Sequence, residues 1–483
     1  MRKALVLVIV AAAALAPRAS AARGLFVGVD EDGFKSEPAA AARDARRLGL
    51  SAFRITLLWA PGRRRVTSHE SAVLRRAVAA THGLRPVLAV YAQKALDAPT
   101  TAERRGEYCS FVRSALARVP RLNDVVIWNE PNKSFFWRPQ FNEDGTSAAP
   151  AAYEALLARC WDALHSLRST VNMIGPATAP RGNDDPNAVS NVSHSPATFI
   201  RKLGHAYRAS GRRQRIVDTI GHHVHGLSAA EAPSASHVDG MIEQGDLGRL
   251  LTALRDAFSG TAQPYPGHCV SEHCVPIWYL EAGFQTTPDQ AKRGLYTDRE
   301  NEPRPLPDEA EGEGPDQAGQ ILAGIRLAYC QPFVEAYFNF LLWDERSLVG
   351  WQSAPYWVDR TPKDSFPAFK EAIREANERK VDCGTVEREA PTAVSTKPPP
   401  PPHAPKPGAP RSRTTSTPHG TAPPGAGTGA STSTSSVAAA TGAGGGDGSG
   451  WKVLLAAALA AAAAGGAALT LLRRARRHGR GGL

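Results

Sequence analysis

The chain has 483 residues, of which 42% are hydrophobic and 21% charged, and a formal net charge of +11. That charge is unevenly placed: Arg2, Lys3 and Arg18 carry +3, residues 391–450 carry +3, and Lys452 with five tail arginines carries +6, which leaves about −1 for residues 22–390. With the central segment nearly neutral, the basic total is no evidence for nucleic-acid binding, and no nucleic-acid partner is expected.

Arg2 and Lys3 open an apolar run from Ala4 to Ala16, which Pro17 and Arg18 close before Ala19-Ser20-Ala21. A basic start, a short apolar core and small residues predict a cleaved secretory signal over residues 1–21. The run is too short to span a bilayer.

From Leu25 to Asn377 short apolar runs alternate with helical spacing. The predicted strands are Phe26–Asp30, Ala52–Trp59, Pro86–Tyr91, Val125–Glu130, Asn172–Ala177, Thr219–His225, Ile277–Glu281 and Ala336–Leu342. Between them, Ala39–Leu48, Glu70–Thr81, Thr101–Ala117, Ala151–Leu167 and Pro315–Tyr329 have the period of helices. Eight strands alternating with helices predict a closed (β/α)8 TIM barrel over residues 22–390, an α/β fold. No GxGxxG follows the first strand, which weighs against a dinucleotide site, and no cofactor is implied.

Several strands end abruptly on polar groups. VVIWNEPN runs into Asn129 and Glu130, PIWYLEAG into Glu281, and AYFNFLLWDE into Trp343, Asp344 and Glu345; AFRITLLW carries Arg54, and TIGHHVHG carries His222, His223 and His225. In such a barrel the C-terminal strand ends form the mouth, so these residues are delivered to one site. Two glutamates facing each other there suit glycoside hydrolysis, which needs two carboxyls on opposite sides of one bond. His222, His223 and His225 also admit a metal-dependent hydrolase, although no other strand end offers an obvious third ligand set. Phe135, Phe136 and Trp137 read either as a hydrophobic plug or as sugar-stacking platforms. Asp30-Glu31-Asp32-Gly33 starts like a calcium loop, lacks the remaining ligands, and reads as a solvated turn.

The six cysteines, Cys109, Cys160, Cys269, Cys274, Cys330 and Cys383, all fall in the exported segment, where an even number predicts disulfides but leaves their connectivity open. The barrel reading narrows it. Cys109 and Cys160 then lie on neighbouring helices and Cys330 and Cys383 flank the last strand and helix, so the expected pairs are 109–160, 269–274 and 330–383.

Residues 391–450 are dominated by Pro, Ser, Thr, Ala and Gly and predict a disordered stalk. Val453–Leu472 is a run of 20 uncharged residues that predicts a transmembrane helix, and the arginines of residues 473–483 predict a cytoplasmic tail. A covalent cell-wall sorting signal fits the short basic tail equally well. The expected location is the cell surface, with the protein anchored to the plasma membrane and the barrel outside.

Taken together, WNEPN with Glu130, LEAGFQT with Glu281, Arg54 on the second strand, His223 on the sixth and Trp343 on the eighth resemble glycoside hydrolase clan A. The cellulase-like family five and family thirty-nine enzymes are nearest in style. The resemblance implies a retaining glycosidase acting on extracellular or envelope polysaccharide or oligosaccharide, with Glu130 as general acid/base and Glu281 as nucleophile. Arg54, Asn129, His223 and His225 would hold the substrate and the nucleophile, and Trp343 would be the floor on which a sugar ring stacks. Two positions depart from the family: His225 stands where a tyrosine is usual, and Tyr91 where many relatives place a histidine. A barrel that binds carbohydrate without turnover is the alternative from another class.

Overall fold

The structure, a computed structural model, describes residues 24–389 apart from 238–239, 271–273, 301–303 and 309–314. The expected signal (1–21), stalk (391–450), apolar span (453–472) and tail (473–483) lie outside the described residues. Among the described residues no helix is long and apolar enough to cross a membrane.

Eight strands form: β1 (Phe26–Asp30), β2 (Ala52–Trp59), β3 (Arg85–Ala92), β4 (Asp124–Ile127), β5 (Asn172–Thr178), β6 (Thr219–His223), β7 (Ile277–Ala282) and β8 (Val334–Phe340). Each pairs in parallel with the next and β8 pairs with β1, so the barrel expected from the alternation closes. The outer ring consists of α1 (Pro38–Leu48), α2 (Ser68–Ala80), α3 (Ala102–Arg118), α4 (Ala149–His165), α5 (Pro196–Ala209), α6 (Leu247–Phe258), α7 (Gln317–Cys330) and α8 (Phe366–Glu378). A short helix, Cys383–Glu389, follows.

The strands read as near-continuous apolar runs because both of their faces are covered, as in β2, where every residue but Leu58 is buried. The interior is filled by Val87, Ala89, Val126, Ile174, Trp278, Leu280 and Phe338 among others. Bulk at Phe338 and Leu280 requires its absence opposite: a Cβ on Gly28 would lie 2.5 Å from the Phe338 ring, and one on Gly221 2.6 Å from Leu280. Arg85 lies over the rings of Phe26 and Trp278 at 5.0 and 4.7 Å and forms two 2.7 Å hydrogen bonds to Asp124. Helix starts follow local chemistry. Thr67 and Glu70 form a reciprocal capping box on α2, and Asp316 accepts from the Gly319 amide at the start of α7.

The disulfides are Cys109–Cys160, joining α3 to α4, Cys269–Cys274, and Cys330–Cys383, joining α7 to the final short helix. These are the three expected pairs.

Three strands end earlier than expected. β4 stops at Ile127 rather than Glu130, β6 at His223 rather than His225, and β8 at Phe340 rather than Leu342. The backbone turns left-handed at Trp128 (φ 68°), Glu130 (φ 39°) and Leu341 (φ 75°), which breaks the strand alternation just where polar side chains begin. Pairing does not lapse: the Trp128 amide still donates to Val90 O, and the Glu130 amide to Ala177 O.

Candidate active site

The C-terminal mouth of the barrel gathers charge around Arg54, which is 1% exposed. The register of β1 against β2 sets Asp30 beside Arg54, and Nη1 donates to Asp30 Oδ2 (2.9 Å), to Glu281 Oε1 (2.7 Å) and to the Leu280 carbonyl (3.3 Å). Nη2 donates to Asn129 Oδ1 at 3.0 Å. One guanidinium thus aligns groups from β1, the β4 end and β7. Burial would lower its pKa, but Asp30 and Glu281 outweigh that and hold it above the usual arginine range.

Glu130 and Glu281 are both buried and meet through His223. Glu130 Oε1 lies 2.9 Å from His223 Nδ1, and the same nitrogen lies 3.3 Å from Glu281 Oε2. One carboxylate oxygen of Glu130 and one of Glu281 lie within 4.8 Å of each other. Burial pushes the Glu281 carboxyl up, yet His223, Arg54 and His225 together hold it well below the usual carboxylate range. Glu281 is therefore an anion at neutral pH.

His225, although beyond the end of β6, still reaches the acid, with Nε2 at 3.4 Å from Glu281 Oε2. Burial, only partly countered by Glu281, lowers its pKa. Its neighbours are the rings of Trp351, 4.6 Å away, and Phe340, 5.8 Å away. Tyr91 on β3 is also buried at this end, where burial, Asp32 and other carboxylates raise its phenol well above the ordinary value.

The structure thus brings Arg54, Asn129, Glu130, His223, His225 and Glu281 together. His222 is not among them. It faces the opposite side, between Thr178 Oγ1 (2.9 Å) and the Ile242 carbonyl (2.8 Å), because adjacent residues on a strand point to opposite faces. The expected triple-histidine set is therefore corrected to His223 and His225.

Trp343 is placed differently from the sugar floor expected of it. Its indole donates to Asp44 on α1 at 3.1 Å, Arg360 covers its ring at 4.3 Å, and Gly33 packs so closely that a Cβ there would lie 2.4 Å from the ring. The tryptophan beside the carboxylate cluster is Trp351, ten residues later in sequence order than the loop's start at Leu341 and buried against His225. Nothing in the residue pattern marked it, since it belongs to no strand. Phe136 and Trp137 are buried, Trp137 edge-on to Trp128 and Tyr153, which makes them a plug.

The solvated turn expected at Asp30-Glu31-Asp32-Gly33 is corrected as well. Asp30 and Glu31 are buried; Asp30 binds Arg54, Glu31 accepts from the amides of Gly33 and Leu342, and Asp32 accepts from the amide of Thr56. The available signal was position alone, an acid at the end of the first barrel strand. Lys133, three residues after Glu130, is a further buried group: burial lowers its pKa to about 8, with Glu130 acting the other way.

No protein-family description matches the chain, and no curated protein matches it. Solved structures similar to it include a monomeric beta-xylosidase from Caulobacter crescentus, at 17% identity over 72% of this chain and 67% of that one, with a TM-score of 0.43. A GH5 protein from Streptomyces cattleya in complex with GlcNAc has 14% identity over 74% of this chain and 81% of that one, with a TM-score of 0.47. A beta-glucosidase from Thermotoga maritima in complex with deoxynojirimycin has 11% identity over 74% and 98%, with a TM-score of 0.48.

Proposed function

We propose that the protein is a retaining O-glycosidase acting on extracellular or cell-envelope polysaccharide or oligosaccharide. The observation that carries this reading is the pair Glu130 and Glu281, two buried carboxyls from β4 and β7 with oxygens within 4.8 Å. Retaining sites hold their carboxyls about 5–5.5 Å apart, against roughly 6.5–9.5 Å where a water must fit between.

In this mechanism Glu281 Oε2 attacks the anomeric carbon while Glu130 passes a proton to the departing oxygen. The resulting glycosyl ester on Glu281 is then cleaved by water, from which Glu130 takes a proton. Arg54 occupies Glu281 Oε1 at 2.7 Å, which leaves Oε2 as the attacking oxygen. With its Oδ1 held by Arg54, Asn129 has its amide N–H groups to offer a sugar hydroxyl. His225 takes the place of the family tyrosine beside the nucleophile, and Trp351 replaces Trp343 as the aromatic surface for a sugar ring.

The localisation proposed from the sequence is the cell surface, with residues 453–472 anchoring the chain in the membrane and the barrel outside. The deciding experiment incubates the full chain with a panel of aryl glycosides and plant, fungal and bacterial glycans. Release of reducing ends with net retention, lost in Glu281→Gln, is expected. Binding without any release would establish a carbohydrate-binding barrel instead.

A further inference from the structure

Among the described residues two lysines are buried, and the protein provides for them unequally. Lys363 pairs with Asp344 at 2.9 Å and donates to the Thr286 hydroxyl at 3.0 Å and the Gln352 carbonyl at 2.8 Å, which occupies all three of its N–H groups. Lys133, 3% exposed, forms no ion pair among the described residues, and its one hydrogen bond there is a long one of 3.4 Å to the Arg181 carbonyl. A buried charge is costly unless it is paired and hydrogen-bonded. Lys133 therefore has bonding capacity that the barrel does not use.

The place of this ammonium is informative. The Lys133 amide donates to the Glu130 carbonyl at 2.9 Å, and its Nζ reaches across to the segment just after β5. The guanidinium of Arg181 in turn donates to the His225 carbonyl at 2.9 Å and to Glu243 at 2.6 Å. Lys133 is exposed to the same few per cent as Glu130 and Glu281. In the proposed reaction Glu130 passes its proton to the departing oxygen, so its side of the mouth is where the departing sugar sits.

We propose that Lys133 recognises an anionic substituent, a carboxylate or a sulfate ester, on the departing sugar. This rests on the glycosidase reading and names its substrate class as acidic glycans.

Charge favours an anion over a plain hydroxyl. Burial and Arg181 both weaken the hold of Lys133 on its proton, and Glu130 acts the other way. Glu130 must itself carry a proton when the bond breaks, which removes that support, while Arg181 is already paired with Glu243. The ammonium is then left without a counter-charge. A hydroxyl would accept a hydrogen bond and leave the charge unbalanced, whereas a carboxylate or sulfate supplies both.

The test measures binding and turnover by the full chain on a panel of plant and bacterial oligosaccharides. Each uronic-acid member is paired with its carboxyl-reduced form and each sulfated member with its desulfated form, so the two arms identify which anion is read. At least one acidic member is expected to bind about tenfold or more tighter than its neutral counterpart, with that preference lost in Lys133→Met and kept in part in Lys133→Arg. Lys133→Met exchanges an unpaired buried charge for an apolar chain, so its urea midpoint should be no lower than that of the wild type. No acidic preference, or one that survives Lys133→Met, would overturn the proposal. So would a lowered midpoint, which would give the lysine an internal role, or an equal loss of kcat/KM on acidic and neutral members, which would mean that it acts only on the Glu130 proton. An acidic preference that depends on Lys133, in a chain that cleaves no glycan, would defeat the glycosidase reading and leave the anion recognition standing.

Discussion

Arg54 decides the charge of the pocket more than either glutamate does, since it touches Asp30, Glu281 and Asn129 together. Replacing it with Met leaves two buried carboxylates facing each other, and breaking a buried pair in this way costs about 3–5 kcal/mol. We expect Arg54→Met to lower the free energy of unfolding by that order in urea titration, and to abolish turnover because Glu281 loses the group that holds it in place. A variant of unchanged stability would show that the pair adds nothing net. Of these partners, Asn129 and Glu281 were legible from strand ends, whereas Asp30 was hidden by composition. Acidic residues before a glycine look like a solvated turn, and only the register of β1 on β2 puts Asp30 beside Arg54. A second residue-scale prediction concerns Glu243. Burial raises its carboxyl to about 7, against the pull of Arg181 at 2.6 Å and with the help of Glu231. A folded value above the unfolded one means that the stabilisation is complete below the ordinary value of 4.5 and is lost as pH rises through 7. His237, raised by Glu243, Glu231 and Asp246 in spite of burial, acts in the same direction; Glu231, held low by its hydrogen bonds in spite of burial, opposes it. Between pH 5 and 8 the wild type should lose on the order of 1–3 kcal/mol that Glu243→Gln does not lose, as measured by urea midpoints across that range. Parallel curves for the two proteins would place the proton elsewhere.

At the level of elements, what the alternating pattern could reveal was the regular part of each strand. β1 and β2 were read to the residue because apolar continuity and pairing end together there. β4, β6 and β8 were read too long, since a polar residue after an apolar run looks the same whether the chain is still extended or has turned left-handed at Trp128 or Leu341. Those turns aim the functional side chains, and the loops beyond them need their own support. The loop after β8 brings Trp351 to His225, and it is tied down by Asp344, buried with Lys363 at 2.9 Å and accepting from the Tyr296 hydroxyl at 2.7 Å. Lys363 also donates to the Gln352 carbonyl, the residue next to Trp351. Lys363→Met should therefore release this loop as well as strand a buried carboxylate, at a cost of about 3–5 kcal/mol. If Trp351 forms the sugar surface, KM should rise more than kcat falls on any glycoside that the wild type cleaves. Equal losses of kcat and kcat/KM with KM unchanged would separate this loop from substrate binding.

For the whole molecule, closing the barrel requires eight units spread over the described chain to find one another, and two of the disulfides shorten that search by stapling neighbours in the outer ring. Cys109–Cys160 spans 51 residues between α3 and α4, and Cys330–Cys383 spans 53 between α7 and the helix after α8, whereas Cys269–Cys274 spans only 5. In the chain-entropy account the stabilisation grows with the loop closed, to about 4 kcal/mol for each long link and about 2 kcal/mol for the short one. Both long links join elements whose contacts the alternating pattern implied, which is why their pairing followed once eight strands were read as a closed barrel. Paired alanine variants of each bridge, compared by urea midpoint under oxidising conditions, should rank the two long bridges as equally costly and the short one as cheaper. A short bridge whose loss costs more than either long one would contradict this account. The stability of the barrel would then depend on the loop that precedes β7 and delivers Glu281, rather than on the outer ring.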